Sequence, residues 1–174
     1  MGAVRAEPPS LRAPEHITPQ HRVAEFASGN TELDRWLTDR ALANEVTGAS
    51  RTYVVCAADR VIGYYALATG GIAHAHAPGR VRRNMPDPLP VMIIGRLAVD
   101  RTWQGQGIGA GLLRDAISRI VQAADIAGIR AIVVNAIDEE AKRFYQHHGF
   151  GVSPTDALQL IITMSDAARA MAGR

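Results

Sequence analysis

The sequence predicts a single α/β domain, a mixed sheet flanked by helices. Three features carry that expectation: short apolar runs rich in valine and isoleucine, one long stripe of helical period, and a glycine-rich turn joining the strongest strand to that stripe. Of the 174 residues, 47% are apolar, enough for one substantial core. No internal repeat or interdomain linker interrupts the pattern.

Residues 1–10 carry Pro8 and Pro9 and are expected to form a flexible terminus, with the folded domain spanning 11–174. A short extended piece is expected over 11–17, then a turn at Thr18-Pro19. Residues 30–45 read as one helix, capped by Thr31 with Asp34 three positions on, and with Leu33, Trp36, Leu37 and Ala41 along one face. Two strands, 53–58 and 61–67, flank Asp59-Arg60 at hairpin spacing. The stretch 70–90 is rich in glycine, proline, histidine and arginine and reads mostly as loop.

Residues 91–99 form the most apolar run, expected as a central strand buried on both faces. Helical period returns with Ile108, Leu112, Leu113, Ala116, Ile117, Ile120, Val121 and Ala124. Residues 131–134 are a short buried strand, and Asp138 can cap a helix running to His148, with Gly149 as its stop. Residues 158–162 are expected to close the sheet.

No run approaches the ~20 apolar residues that span a bilayer, and the first ten residues lack the apolar core of a signal peptide. Ala6 stands where a myristoylation signal needs Ser or Thr. The single cysteine, Cys56, cannot form an internal disulfide and sits mid-strand, where a core role fits better than a nucleophilic one. A cytoplasmic protein with no membrane partner is expected. Lys142 is the only lysine, so the basic charge is arginine. Genomic base composition explains such a bias without function, although arginine suits bidentate phosphate binding. A net charge of +2 does not by itself identify a nucleic-acid partner.

Gln104-Gly105-Gln106-Gly107-Ile108-Gly109 lies between a strong strand and a strong helix. Glycines bring backbone N–H groups close to a ligand, and a helix start adds unpaired donors, so the turn suits a phosphate or pyrophosphate. A P-loop is excluded because no lysine follows the glycines. Gly105, Gly107 and Ala110 match a dinucleotide fingerprint, with Asp125 at the expected distance. That acid should end the next strand, however, and Asp125 falls at the tail of a helix instead.

Gln104-x-x-Gly107-x-Gly109 following Arg96-Leu97-Ala98-Val99 resembles the acetyl-CoA pyrophosphate motif of the GNAT acetyltransferases. Ala141-x-x-Phe144-Tyr145-x-x-x-Gly149-Phe150 resembles the second half of that signature. The resemblance implies a sheet whose central strand splays from its neighbour, with pantetheine pairing against Leu97 and Val99 and the pyrophosphate held by Gln106, Gly107, Ile108 and Gly109. It further implies acetyl-CoA contacts from Ala98, Gln104, Gly105, Asn135 and Phe144. Tyr145 is the implied general acid for the departing thiolate, and the Val99 N–H the group that polarises the thioester carbonyl.

Phe26-x-Ser28-Gly29-Asn30-x-x-Leu33-Asp34-x-Trp36-Leu37, together with Ala66-Leu67-Ala68, is similar to the GNAT toxins of bacterial toxin–antitoxin systems. That narrower resemblance covers most of residues 22–150. It implies acetylation of the α-amino group of aminoacyl-tRNA, a block of translation, and neutralisation by a ribbon-helix-helix antitoxin. It also implies a homodimer, and operator DNA reached only through the antitoxin complex. Arg80, Arg82 and Arg83 become the expected tRNA contacts.

His147-His148 could assist proton transfer, but a helix C-terminus favours histidine in any case. His74-x-His76 lacks the partners of a tetrahedral site, so no metal is expected. Trp36 reads as core, and Trp103 is open between packing and stacking on a base. A GNAT enzyme acting on a small amine or a protein N-terminus, and a non-enzymatic CoA-binding or DNA-regulatory module, are the rival readings.

Overall fold

In the computed structural model, which describes residues 10–173, the sheet begins at β1 (Glu15–His16). Of the flexible stretch expected over 1–10, all but Ser10 lies outside the described residues. The helix expected as one piece is two, α1 (Thr31–Asp39) and α2 (Ala41–Thr47). They part at Arg40, whose φ of −124° lies outside the helical range. Asn30, not Thr31, caps α1, its side chain accepting from the Leu33 N–H at 3.0 Å. Asp34 reaches back to Ser28 instead, accepting from its N–H at 3.0 Å and its hydroxyl at 2.6 Å. Leu33, Leu37 and Ala41 are buried as the periodicity requires, and Trp36 is half-buried.

β2 (Arg51–Ala57) and β3 (Arg60–Ile72) form the expected hairpin. β3 runs on into the stretch that reads as loop, with Gly70 and Gly71 paired against Val91 and Pro90. Glycine is a poor strand former, so composition hides a strand that cross-strand pairing imposes. The rest of that stretch holds α3 (Gly79–Arg82), anchored by buried Val81. β4 (Leu89–Val99), α4 (Ile108–Ala127), β5 (Ala131–Asn135), α5 (Glu139–His147), β6 (Gly151–Val152), β7 (Gln159–Thr163) and α6 (Met164–Ala172) complete the chain.

The strand order is β1-β2-β3-β4-β5-β7-β6, with β4 and β5 parallel and the other pairs antiparallel. The 158–162 strand therefore lies inside the sheet as β7, and β6, which the sequence does not announce, is the edge. β4 is central as expected but is not buried throughout, because Gly95 is exposed and Arg96 and Leu97 are half-buried. Among the described residues, no helix is long and apolar enough to cross a membrane.

Alternation along the strands sends side chains to two cores. Val55, Ile62, Tyr65 and Ile94 pack under α4 with Leu112, Leu113, Ile117 and Ile120. Val54, Cys56, Val61, Tyr64 and Ala98 pack under α1 and α2 with Leu33, Leu37 and Ala41. Burial pushes the Cys56 thiol up to about 11, which fits its place in the second core. A third cluster, Val81 with Ile72, Leu89, Val91 and Val133, covers the Leu89 end of β4.

In the α4 core, fully buried Tyr65 donates its hydroxyl to Asp115 at 2.5 Å, and Arg119 holds the same carboxylate at 2.9 Å. A hydrogen bond to a charged group is worth about 1.5–3 kcal/mol. Tyr65→Phe should therefore lower unfolding free energy by about that amount in urea titration, without changing oligomeric state.

Candidate active site

β4 pairs with β5 only from Val91 to Ile94. Against β3 it continues to Val99, with Gly95 as one extra residue between the Ile94–Leu67 and Arg96–Ala66 pairs. Beyond Gly95, β4 thus has a strand on one side and a gap on the other. The Asp100 N–H donates across β3 to the Ile62 carbonyl at 2.8 Å. Backbone groups alternate along a strand, so Ala98 also faces β3, and the N–H and C=O of Leu97 and Val99 face the gap.

Two hollows meet there. One, of about 480 Å³, runs between Leu97, Ala98 and Val99, the Ser28–Asn30–Leu33 wall, and Ala141, Phe144 and Tyr145 of α5. The other, of about 450 Å³, is lined by Trp103, Gly105, Gly107, Ile108, His147 and His148. Val99, Gln104, Gly109 and Phe144 line both, so they are two ends of one groove of ligand-binding size. A larger open hollow of about 680 Å³ lies elsewhere, at the β1 edge. Its charged groups largely answer one another, His21 with Glu15 at 3.0 Å among them.

The glycine turn fits an anion. Gly105 and Gly107 adopt φ of +78° and +81°, and no atom lies within 4 Å of where a Cβ would stand. Gly107 is the α4 cap and has no side chain to offer, so the first N–H groups of the helix carry their partial positive charge unanswered by a cap. The Gln104 amide is already engaged, donating to the Val99 carbonyl at 2.8 Å and the Ser28 carbonyl at 2.9 Å. It braces the turn against both β4 and the wall before α1.

Asp100 fastens the same wall. It is 1% exposed and accepts from the Ala27 N–H at 3.1 Å, the Thr102 hydroxyl at 2.7 Å and Arg60 at 3.2 Å. Burial raises its pKa, but the bonds from Thr102 and Ala27 and the charge of Arg60 outweigh that, so the net shift is downward.

Tyr145 sits on α5 in edge-on contact with Phe144 and Phe150, at ring separations of 5.1 and 5.7 Å. Burial holds its hydroxyl well above the usual phenol range, so it carries its proton at neutral pH. Of the expected acetyl-CoA ligands, Leu97, Ala98, Val99, Gln104, Gly105, Gly107, Ile108, Gly109 and Phe144 line the groove. Gln106 and Asn135 line neither hollow, and Asn135 is exposed at the end of β5, in register with Gln159.

Arg80, Arg82 and Arg83 lie away from the groove, at the Leu89 end of β4. Arg80 pairs with Asp166, and Arg82 donates to the His74 carbonyl at 3.3 Å. His74 and His76 point to different partners, the Pro86 carbonyl and Thr155. Trp103 packs on the α4 core and lines the glycine-turn hollow. The Ser28–Asn30–Leu33 wall and the Asp138 and Glu140 rim are site features that residue-type reasoning did not single out. The Phe26-to-Leu37 motif marks the wall's segment without revealing its position.

An open strand edge, an uncapped helix start suited to an anion and a buried tyrosine beside them fit an acyl-CoA-dependent transferase. The GNAT acetyltransferase domain matches residues 48–152, and the chain belongs to that family. Within it, the similarity runs to toxins. The chain is 57% identical over 161 residues to a tRNA-acetylating toxin of Mycobacterium tuberculosis, covering 92% of this chain and 96% of that one. It is 30% identical to a probable toxin TacT of Sinorhizobium fredii, covering 84% and 87%. Among solved structures, AtaT complexed with acetyl-methionyl-tRNAfMet superposes with a TM-score of 0.85 at 27% identity, over 92% of this chain and 98% of that one. AtaTR bound with acetyl-CoA superposes with a TM-score of 0.80 at 28% identity, over 91% and 96%.

Replacing Asp100 by Asn should cost about 3 kcal/mol at pH 7, because it unpairs a buried charge network. The depressed native pKa stabilises the fold above the unfolded carboxylate's pKa of ~3.9 and is lost as pH falls through the native value. The gap between wild type and variant in denaturant titration should therefore close below about pH 3.9.

Proposed function

We propose that this chain transfers the acetyl group of acetyl-CoA to the α-amino group of the amino acid on charged tRNA, and so blocks translation. The carrying observation is the groove in which the free edge of Leu97 and Val99, the glycine turn and Tyr145 converge. The 57% identity to a tRNA-acetylating toxin supports the choice of acceptor. Solved complexes of AtaT with the C-terminus of the antitoxin AtaR, and of AtaT-AtaR with DNA, support an antitoxin partner. We assign that antitoxin to the ribbon-helix-helix class, with operator DNA reached through the complex, a homodimeric toxin and a cytoplasmic setting.

The residues divide the chemistry as follows. Leu97 and Val99 offer strand-type backbone partners to the pantetheine amides, and the α4 start receives the pyrophosphate. The Val99 N–H faces the gap, where it can bond the thioester carbonyl oxygen as charge develops there. The neutral amine attacks the carbonyl carbon, the C–N bond forms, and the C–S bond breaks with its electron pair on sulfur. Tyr145 gives its hydroxyl proton to that sulfur and recovers one from the acylated nitrogen through solvent. An α-amino group with a pKa of ~7.7–8.0 is partly neutral at pH 7, so a strong enzymic base is unnecessary.

The Glu140 and Asp138 carboxylates on the groove rim favour one second reading, a GNAT acting on a small amine or protein N-terminus. Asp138 is committed to capping α5 through the Ala141 N–H at 2.8 Å, which leaves Glu140 to attract an ammonium. Labelled acetyl-CoA incubated with charged and uncharged tRNA separates the two. Label should appear only on charged tRNA and fall at least tenfold with Tyr145→Phe. Label on free amines with none on tRNA would select the second reading.

The double substitution Arg82→Glu, Arg83→Glu should abolish acetylation of charged tRNA while acetyl-CoA affinity, read by calorimetry, stays within twofold. Equal loss of both would show misfolding and remove these arginines from the tRNA contact.

A further inference from the structure

Arg96 stands on β4 one residue beyond the splay and next to Leu97, which lines the groove. Its guanidinium lies over the Trp36 ring, 4.5 Å from the centroid. Trp36 in turn stacks on Tyr64, 5.9 Å away with 10° between the planes. Tyr64 is fully buried, and its hydroxyl donates to the Leu33 carbonyl at 2.7 Å. The result is a column of three contacting groups, rooted in the α1 core and ending in the half-buried planar cation of Arg96. Among the described residues, no carboxylate or carbonyl pairs with the Arg96 guanidinium. An arginine held on an indole and without a counter-ion has N–H donors to offer a ligand and a planar group on which a base can stack.

The position of the column indicates which ligand. Arg96 and Ala98 point to the α1 side of the sheet, whereas Leu97, Val99 and the glycine turn belong to the α4 side. A two-substrate transfer needs its partners to approach the gap from different directions. With the pyrophosphate site on the α4 side, the α1 side is left to the acceptor, and Leu33 carries the groove wall to within one helical turn of Trp36.

We propose that the Arg96–Trp36–Tyr64 column is a stacking platform for an unpaired nucleobase beside the aminoacylated 3′ end of the acceptor RNA. This deepens the tRNA reading above and rests on it for the identity of the RNA. Arg96 is then a positioning residue: it fixes the single-stranded end so that the amino group reaches the Val99–Tyr145 gap. Stacking of a base on a planar side chain does not depend on the order of bases, so the platform serves the common single-stranded terminus rather than one tRNA.

The test is fluorescence anisotropy of a labelled single-stranded RNA ending in CCA, with wild type, Arg96→Lys and Arg96→Gln, beside acetylation of charged tRNA. Lysine keeps the charge and loses the plane. Arg96→Lys should weaken RNA binding and raise KM for charged tRNA about tenfold. It should leave acetyl-CoA affinity and the salt slope of RNA binding unchanged, because the cation remains. If lysine restores wild-type binding while glutamine loses it with a flatter salt slope, Arg96 contacts a phosphate and the platform is refuted. Equal binding by all three proteins, or no binding by wild type, overturns it as well. RNA binding that depends on Arg96 in a protein that labels no tRNA would uphold the platform and reject the acceptor.

Discussion

The whole site depends on where β4 stops pairing with β5. Past Ile94 the two strands separate, and the backbone groups of Leu97 and Val99 are left without a protein strand beside them. An unpaired N–H or C=O away from water costs roughly as much as a lost hydrogen bond, so such an edge persists only where water or a ligand reaches it. Here the groove supplies that access, and the Gln104 amide takes up the Val99 carbonyl. β5 cannot close the gap. Its chain turns away as Ala136 donates to the Leu158 carbonyl at 2.7 Å, and α5 starts from extended Asp138.

A gap in a sheet would collapse unless both walls were held. On the α4 side, the long helix packs five buried residues against the sheet, and Phe144 meets Gly109 close enough that a Cβ there would touch it at 3.9 Å. On the α1 side, the loop before the helix buries Phe26 against Tyr64, and its groove end is held by polar bonds. Ala27 donates to Asp100, the Arg101 N–H donates to the Ala27 carbonyl at 2.8 Å, and Gln104 bonds Ser28. One buried carboxylate and one amide thus set the width of the groove, and both lie in the segment that joins β4 to α4. The glycine turn and the Ser28 wall are parts of one bonded unit.

This division explains what the sequence disclosed. Elements that bury an apolar face were legible, α4 from its stripe and β4 from its continuous run, because burial dictates residue type at fixed spacing. The break between α1 and α2 at Arg40 was not, since no glycine or proline marks it and the following Ala41 belongs to the same buried face. β6, two residues long, and α6, near the end of the chain, carry too little periodic signal. β3 past Leu67 was hidden by glycines whose pairing only the partner strand decides. In the site, the glycine turn and the Phe144-Tyr145 pair were readable as motifs, while the roles of Ser28 and Asp100 required contacts more than 70 residues apart in the chain.

The same logic separates donor from acceptor. In the proposed mode, acetyl-CoA is met largely by main-chain groups and by the start of a helix, which need glycines and a free edge and so leave a recognisable pattern. An acceptor must be met by side chains, whose identity follows the acceptor and leaves no fixed pattern. Here the candidates are the Arg96 column by the gap and the Arg82 and Arg83 pair at the other end of β4. Seven residues separate Leu89 from Arg96, about 20 Å of extended strand, so the two basic points lie toward opposite ends of β4. A small amine entering the groove meets only the first of them. A polyanion long enough to follow β4 can use both, and the proposed RNA acceptor is of that kind. Electrostatics at that scale adds affinity without adding sequence preference, so under the proposed function the discrimination between acceptors falls to the side chains that line the gap itself, Leu33 and Ile137 among them.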